Sequence, residues 1–273
     1  MSISNTSPLG KPVGYTGRCD RALLHSMPRV EGRARLGLGA TLPFTGFDVW
    51  NAYELSWLDP RGKPDVALAT FLVSADTPAM VESKSLKLYL NSFAQTPFVG
   101  VEAVREAIAR DLARAFGGSV AVTLKGRAAS ANERIADLAG ECIDDLDVAI
   151  DRYTPDPSLL SASGGIVEET LVSNLLRSNC PVTGQPDWGS VQVHYRGPRI
   201  DRAGLLRYIV SFREHQDFHE HCVERMFVDL MTRSAPDRLS VYARYTRRGG
   251  IDINPFRSNF ETVLPANVRT PRQ

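Results

Sequence analysis

The sequence predicts an α+β protein made of two units of similar plan, each an antiparallel sheet that carries a helix pair. Three observations predict this fold class. Segments with alternating apolar residues, typical of strands, occur together with segments of helical apolar spacing. The order strand, strand, helix, helix, strand in the first half returns in the second half. Between the halves lies a Pro-, Ser- and Gly-rich segment, 153–165, which is typical of a linker.

The first half is expected to contain two strands, two helices and two further strands, in that order. One strand of this half, at residues 66–73, is almost continuously apolar (VALATFLV), which indicates that it is well buried. The apolar patterns of the six elements fall at residues 47–58, 66–73, 86–93, 101–112, 120–124 and 145–153.

The second half repeats this order, although it repeats the elements and not the residues. Two extended segments, a short helix, a longer helix and a strand are expected at residues 167–177, 190–196, 205–209, 223–231 and 239–245. We therefore predict an N-terminal unit at 1–152, the linker at 153–165 and a C-terminal unit at 166–273.

The composition is that of a globular protein, because 43% of the 273 residues are hydrophobic and 23% are charged. The formal net charge of +1 gives no electrostatic basis for a nucleic acid or an anionic membrane as partner. No apolar run approaches the ~20 residues that span a bilayer, and residues 1–14 lack the apolar core of a signal peptide. Four scattered cysteines without a CxxC pair indicate reduced thiols, so we expect a cytoplasmic protein.

The segment with the strongest chemical signal is 178–188, SNCPVTGQPDW, in which Asn, Pro and Gly surround Cys180. This composition places the cysteine in a loop, where catalytic side chains are common. Asp187 lies seven residues further on, close enough along the chain to fold back toward the thiol and exchange a proton with it. The thiolate is the nucleophilic form of cysteine. Two interpretations stay open, a nucleophile assisted by Asp187 and a structural loop cysteine.

The other three cysteines are weaker candidates for a nucleophile. Cys222 adjoins the apolar stripe of a helix and is expected in the core. Cys142 lies among three acidic residues, whose negative charge is expected to raise the pKa of its thiol. Cys19 lies in a polar arm near the start of the sequence.

The segment HQDFHEHC at 215–222 has three alternative interpretations. His215 and His219 are four residues apart, so a helix would place both on one face, and a cysteine would complete a zinc site. Against a metal, the segment lacks the HExxH order. A solvated helix N-terminus is the second interpretation. In the third, a buried Glu220 accepts two N–H bonds from a guanine-like edge, and His219 donates beside it.

Two further segments suit an anionic group. In ESKSLKLYLNSF, Ser83 or Ser85 is expected to cap a helix that carries Lys84 and Lys87 near its positive N-terminal end. In RRGGIDINP, at 247–255, paired arginines and flexible glycines join two strands. An ordinary amphipathic helix and an ordinary hairpin explain the same two patterns.

Taken together, these segments resemble the long-form nitrile reductases of queuosine biosynthesis, the NADPH-dependent 7-cyano-7-deazaguanine reductases. The resemblance runs nearly from end to end of the sequence. It is carried by LPFTGFDVWNAYELSWL (42–58), ESKSLKLYLNSF (82–93), SNCPVTGQPDWGSV (178–191), FHEHCVE (218–224) and RRGGIDINP (247–255).

The resemblance implies the tunnelling fold (T-fold) shared with GTP cyclohydrolase I, here as two fused ββααββ units in a homodimer. It implies that Cys180 is the nucleophile and Asp187 the proton donor. It also implies NADPH as the cofactor, no metal, and a pocket built from both halves. The substrate-binding residues that it implies are Val81, Glu82, Ser83, Phe218, His219 and Glu220. The NADPH-binding residues that it implies are Ser83, Lys84, Arg248 and Gly249.

The chemistry of a nitrile agrees with these implied roles. A thiolate that adds to the nitrile carbon gives a thioimide, which accepts a hydride more readily than the nitrile does. Asp187 would protonate the developing nitrogen anion as a general acid. Loss of the thiol leaves an imine, and a second hydride gives the amine, so two NADPH are used per turnover. Water must be excluded, since it would hydrolyse both intermediates.

Three other functions are weighed against the reductase. A zinc-dependent GTP cyclohydrolase-like hydrolase would share the fold and bind stoichiometric zinc. A cysteine nitrilase or amidase would share the thioimide but release ammonia. A non-catalytic pterin- or purine-binding module would keep its role after loss of Cys180.

Overall fold

A computed structural model of the protein describes residues 14, 17–130 and 133–273, and it has an α+β fold. The opening residues 1–13, which the signal-peptide argument concerns, lie outside the described residues. In the described ranges the strands are β1 (Ser26–Pro28), β2 (Thr45–Leu58), β3 (Pro64–Ser74), β4 (Ala79–Val81), β5 (Val120–Gly126), β6 (Glu141–Cys142), β7 (Ala162–Asn179), β8 (Pro186–Ile200), β9 (Arg238–Tyr245) and β10 (Ile251–Ser258).

The α-helices of the same ranges separate these strands into groups. They are α1 (Arg29–Arg35), α2 (Ser83–Asn91), α3 (Gly100–Phe116), α4 (Arg127–Ser130), α5 (Arg202–Ser211) and α6 (His219–Ser234). None of them is long and apolar enough to cross a membrane.

The chain forms two compact units, and the first comprises the residues up to Ala34, Asp48–Glu133 and Arg247–Asp252. Its sheet has the order β5-β3-β2, and β1 pairs with β4 in a separate two-stranded sheet. From Ala67 onward the residues of β3 alternate between buried and half-buried, so the prediction of a well-buried strand at 66–73 is correct for one face only. The apolar faces of α2 and α3 contribute Leu86 and Ile108 to the core of the unit.

The second unit comprises Arg35–Phe47, Arg134–Thr246 and Ile253–Gln273. Its strands follow the order β10-β9-β8-β7-β6, with antiparallel neighbours except for the short parallel pair β6 and β7. β7 and β8 form one long hairpin whose register runs from Ala162 opposite Ile200 to Asn179 opposite Pro186. The hairpin tip therefore lies between residues 179 and 186.

Most of the predicted elements are confirmed, and two are wrong. No strand occurs at 145–153; the chain there is irregular, with Leu146 exposed. Its acidic residues do not suit a strand, and Asp144, just before it, accepts hydrogen bonds from Ser173 Oγ and Asn174 N instead. The second error concerns the linker, whose last residues belong to β7. A register shift between Ser163 and Ile166 accommodates the glycines there.

A buried ion pair links α6 to β10 inside the second unit and leads to a stability prediction. Arg257 Nη2 donates to Glu224 Oε1 at 2.9 Å, and both side chains are fully buried. We expect Glu224→Leu to lower the free energy of unfolding by about 3–5 kcal/mol, because it leaves a guanidinium buried without its carboxylate. Urea denaturation measures the change.

The double variant Glu224→Leu/Arg257→Met is the control for this prediction. It removes both charges, so it should recover most of the loss of the single variant. Equal stabilities of the Glu224→Leu variant and the unmodified protein would contradict the prediction.

Candidate active site

Cys180 lies at the tip of the β7–β8 hairpin, as its Asn-, Pro- and Gly-containing surroundings predict. Its N–H donates to Gln185 O at 2.9 Å, and its carbonyl accepts from Gly184 N at 3.0 Å. Gly184 has a φ of 66°, which a residue with a side chain rarely adopts. These bonds close a tight loop that buries Cys180 to 8% exposure.

Asp187 lies near the start of β8, the second strand of the same hairpin. It stands opposite Ser178 in the antiparallel register, so the two side chains lie on one face. Cys180 is the first residue after β7, and Asn179 stands opposite Pro186, so the chain folds back between Cys180 and Asp187.

The buried Asp187 carboxylate has a histidine partner. His219 Nε2, on the first residue of α6, lies 3.4 Å from Asp187 Oδ2. The imidazole ring stacks on Tyr245 with 3.8 Å between ring centroids and 9° between ring planes. His219 Nδ1 is buried, and no described residue makes a hydrogen bond to it. The site thus holds a fixed imidazole with one nitrogen available to a ligand.

Two more residues that the sequence analysis predicts for the site are the neighbours of this histidine in the chain. Glu220, in the first turn of α6, is 3% exposed. Phe218 is the N-cap residue of α6, and its N–H donates to Asp217 Oδ1 at 2.9 Å. The Phe218 ring meets His221 edge-on. The segment 218–220 therefore offers an aromatic ring, an imidazole and a buried carboxylate at the start of one helix.

The predicted pairing of His215 with His219 on one helical face is wrong. α6 begins only at His219, and His215 follows a short 3-10 helix instead. Asp217 is the centre of this histidine-rich segment, 3.1 Å from His221 Nδ1 and 3.5 Å from the Arg35 guanidinium. Across the described part of the chain, no group of three His, Cys, Asp or Glu residues is arranged to hold a metal ion.

Burial of His215 predicts a pH-dependent stability. Desolvation lowers the pKa of His215 to about 4, although the Asp217 carboxylate opposes this shift. An unfolded histidine titrates near ~6.5. Between these values the unfolded chain binds a proton that the folded protein does not, so the free energy of unfolding falls as the pH falls through this window.

We expect His215→Gln to remove this contribution. Between about pH 7 and about pH 4.5 the unmodified protein should lose about 2 kcal/mol more stability than the variant does. Urea denaturation of both proteins at the two pH values measures the difference. Parallel losses in the two proteins would show that His215 is not the titrating group.

In the first unit, Glu82 is the N-cap residue of α2, where a serine was expected. Its Oε1 accepts from Lys84 N at 2.6 Å and its Oε2 from Ser85 N at 2.9 Å. Burial raises the pKa of Glu82, and these two N–H bonds oppose the shift. Val81 precedes it in the core, and Ser83 and Lys84 form the first turn of the helix.

The turn after β9 belongs to the same unit and reaches the same helix. Gly249 has a φ of 56°, and a Cβ atom there would lie 3.1 Å from Lys87 Cδ. Arg248 N donates to Ile251 O at 2.9 Å, which closes the turn. Helix α2 and this turn line a cavity of about 50 Å³. The structure therefore brings the two predicted anion-binding segments together.

The predictions for the remaining cysteines agree with the structure. Cys222 is fully buried, and burial strongly raises the pKa of its thiol. A backbone N–H of Asp144 lowers the pKa of Cys142, but partial burial and the Asp144 carboxylate outweigh it, so the pKa is raised. Burial also raises the pKa of Cys19. None of these three thiols is favoured as a thiolate.

Sequence reasoning missed two residues of the second unit. Tyr245 appears in the sequence only as one apolar position of an alternating strand, yet its ring covers His219. The buried Gln273 amide donates to Tyr245 O and Asn254 Oδ1, both at 2.8 Å. No sequence signal marks either contact, because each partner lies many residues away along the chain.

Comparisons with known proteins match segments in both halves of the chain to family models. Residues 15–124 match the family described as nitrile reductase, 7-cyano-7-deazaguanine-reductase N-term, and residues 186–263 match the QueF-like protein family. The solved structure of the archaeosine synthase QueF-Like in the apo form aligns with 38% of the chain at 16% identity and a TM-score of 0.31. That likeness is too weak to support a structural inference.

Curated relatives align over the full length. The NADPH-dependent 7-cyano-7-deazaguanine reductase of Bordetella parapertussis is 60% identical, and the alignment covers 100% of both chains. The enzyme of the same name from Burkholderia orbicola (strain MC0-3) is 59% identical over 98% of both chains. Identity this high over the whole length establishes the family, so the chain belongs to the NADPH-dependent 7-cyano-7-deazaguanine reductases.

Proposed function

We propose that the protein reduces the nitrile of 7-cyano-7-deazaguanine to the aminomethyl group of 7-aminomethyl-7-deazaguanine, with NADPH as the reductant, in queuosine biosynthesis. Membership of the family supplies the identity of the substrate and the cofactor. The observation that supports the chemistry is the hairpin tip, where the chain folds back between Cys180 and Asp187 and where His219 Nε2 lies 3.4 Å from the aspartate.

The first step is addition of the Cys180 thiolate to the nitrile carbon. A Sγ–C bond forms, one π bond of the nitrile breaks, and Asp187 gives a proton to the nitrogen, which yields a thioimide. The low exposure of Cys180 and Asp187, 8% and 4%, keeps bulk water from this carbon. Preorganised contacts to Asp187 let it deliver the proton without rearrangement.

The remaining steps need two hydride equivalents and two protons in total for one nitrile. NADPH, when bound, would supply two hydrides in turn to the same carbon, first in the thioimide and then in the imine. Between the two reductions the Sγ–C bond breaks, so Cys180 leaves as the thiolate and is ready for another cycle. Cys180 is therefore a nucleophile and then a leaving group, which suits a thiol more than an alcohol.

Recognition of the deazaguanine is assigned to buried polar groups. We assign Glu220, which is 3% exposed, to accept two N–H bonds from the guanine-like edge, and His219, whose Nδ1 has no hydrogen-bond partner among the described residues, to bond the ring beside it. An unmet buried hydrogen-bonding atom is costly unless a ligand satisfies it, which makes such a site selective. Phe218 is assigned to cover the ring, and Val81, Glu82 and Ser83 complete the proposed substrate set.

Residues of the first unit fit an anionic dinucleotide. Lys84 and Lys87 lie in the first two turns of α2 and add positive charge there, while the Glu82 carboxylate accepts from the N–H groups at the helix N-terminus. The adjacent turn at Arg248 and Gly249 adds a guanidinium, and the missing side chain at Gly249 lets Lys87 approach the turn. We assign Ser83, Lys84, Arg248 and Gly249 to NADPH on this basis.

The proposal includes the finer architecture that the family suggests. Each unit is assigned to the T-fold, and the functional assembly is assigned as a cytoplasmic homodimer. Analytical ultracentrifugation tests the assembly. A monomer at micromolar concentration would contradict it and leave the reaction assignment standing.

The decisive experiment mixes the protein with 7-cyano-7-deazaguanine in the absence of NADPH. Intact-mass spectrometry should show one ligand mass added per chain, and addition of NADPH should remove it and release the amine. Release of ammonia would favour a nitrilase, and stoichiometric zinc in the purified protein would favour a cyclohydrolase-like hydrolase. If the protein shows no mass gain and no NADPH oxidation, the proposal is refuted.

A further inference from the structure

A tyrosine without an assigned role covers one face of the His219 imidazole. Tyr245 is the last residue of β9 and stands opposite Gly189 on β8. Its ring lies parallel to the imidazole, 3.8 Å away between centroids. A Cβ atom on Gly189 would come within 3.2 Å of Tyr245 Cδ1, so the glycine leaves the space that the ring occupies.

The stack holds the plane of the His219 imidazole. His219 Nε2 lies 3.4 Å from Asp187 Oδ2, a separation longer than a normal hydrogen bond. Its Nδ1 makes no hydrogen bond among the described residues. Rotation of the ring about Cβ–Cγ would turn Nε2 from Asp187 and Nδ1 from its present direction. The parallel Tyr245 ring blocks this rotation sterically.

Tyr245 is itself held through its backbone and its packing. Its carbonyl accepts from Gln273 Nε2 at 2.8 Å, and Gln273 Oε1 accepts from Arg244 Nε at 2.9 Å. The Tyr245 hydroxyl is buried beside the side chains of Ser178 and Cys222. The aromatic ring is the part of this side chain that covers His219.

We infer that Tyr245 is a positioning residue for the proposed reaction, which holds the His219 ring in the plane that keeps Nε2 on Asp187 and Nδ1 toward the substrate. Gln273 supports it by anchoring the Tyr245 carbonyl. The inference rests on the proposed function, because it assigns Asp187 to proton delivery and His219 to the substrate. Tyr245 touches neither the nitrile nor the cofactor in this assignment.

The test compares Tyr245→Phe, which keeps the ring, with Tyr245→Leu, which removes it. The rate constant of adduct formation with 7-cyano-7-deazaguanine is measured by intact mass across a pH series. We expect Tyr245→Phe to retain the rate constant within about twofold and to keep the pH profile, because the ring that stacks on His219 is kept. We expect Tyr245→Leu to lower it by about 10–100-fold, since small misplacements of catalytic groups have effects of this size.

The shape of the pH profile separates positioning from a general loss of stability. Tyr245→Leu should alter the pH profile of adduct formation, since His219 Nε2 no longer contacts Asp187 in one fixed geometry. Tyr208→Leu is the matched control, because Tyr208 is also a fully buried tyrosine of the second unit. It should lower the melting temperature to a similar extent and leave the profile unchanged.

Three outcomes would overturn the inference. They are an unchanged rate and profile in Tyr245→Leu, equal changes in Tyr208→Leu, and a loss in Tyr245→Phe as large as in Tyr245→Leu. If Tyr245→Leu does not fold, Gln273→Ala loosens the same ring from its anchor and should slow adduct formation several-fold with an altered profile. The absence of an adduct in the unmodified protein would instead contradict the proposed function.

Discussion

Cys180→Ala is expected to lower NADPH oxidation in the presence of 7-cyano-7-deazaguanine by about 10⁴-fold or more. Without the thiol no thioimide forms, and the unactivated nitrile is a poor hydride acceptor. The intact protein should gain no ligand mass. Binding of 7-cyano-7-deazaguanine, measured by isothermal titration calorimetry, should persist, because the residues assigned to recognition are unchanged.

The matched control is Cys142→Ser, which removes an exposed thiol from the same chain. It should form the adduct and oxidise NADPH like the unmodified protein. Turnover retained by Cys180→Ala would refute the assignment of the nucleophile. Loss of turnover in both variants would show that the effect does not report on one particular sulfur.

Asp187→Asn is expected to slow adduct formation and NADPH oxidation together, by about 10²–10⁴-fold. The amide has no acidic proton for the nitrile nitrogen, so the negative charge that develops on thiolate addition is not neutralised. Stopped-flow absorbance at the NADPH band measures turnover, and quenched intact mass measures the adduct. Substrate affinity should change little, since the carboxylate acts on the developing charge.

Asp201→Asn makes the same chemical change elsewhere in the second unit. Asp201 is the N-cap residue of α5, where its side chain accepts from Ala203 N and Gly204 N. Asparagine caps helices about as well as aspartate. This variant should therefore keep both rates, and an adduct that forms at the normal rate in Asp187→Asn would remove the aspartate from the mechanism.

The elements that the sequence predicts best are those whose apolar period is long and regular. α3 and β5 lie where the spacing of Val104, Ile108 and Leu112 and the alternation of Val120 and Val122 place them. The strand expected at 145–153 is absent because an apolar pattern of a few residues does not outweigh a local run of aspartates. β7 extends into the Gly-rich segment, because pairing with β8 outweighs weak local propensity there.

For the candidate site too, the sequence predicts residues marked by their local surroundings better than residues whose contacts are distant along the chain. Cys180 and Asp187 stand out because composition and spacing within one short segment mark a loop. The cap of α2 was assigned to a serine, since serine is a frequent N-cap residue; the structure uses Glu82, whose longer side chain reaches two N–H groups. Tyr245 could not be found, because its contact with His219 depends on tertiary packing.

The hairpin tip has one more consequence, which concerns insertions and deletions. Successive side chains of a strand point to opposite faces of the sheet, so a shift of one residue moves a side chain to the other face. Six residues separate Cys180 from Asp187. Loss or gain of a single residue within 181–186 has to be taken up by the turn, because a one-residue shift passed on to β8 would turn the carboxylate to the far side. Length variation at this tip is therefore compatible with the site only where Asp187 stays opposite Ser178.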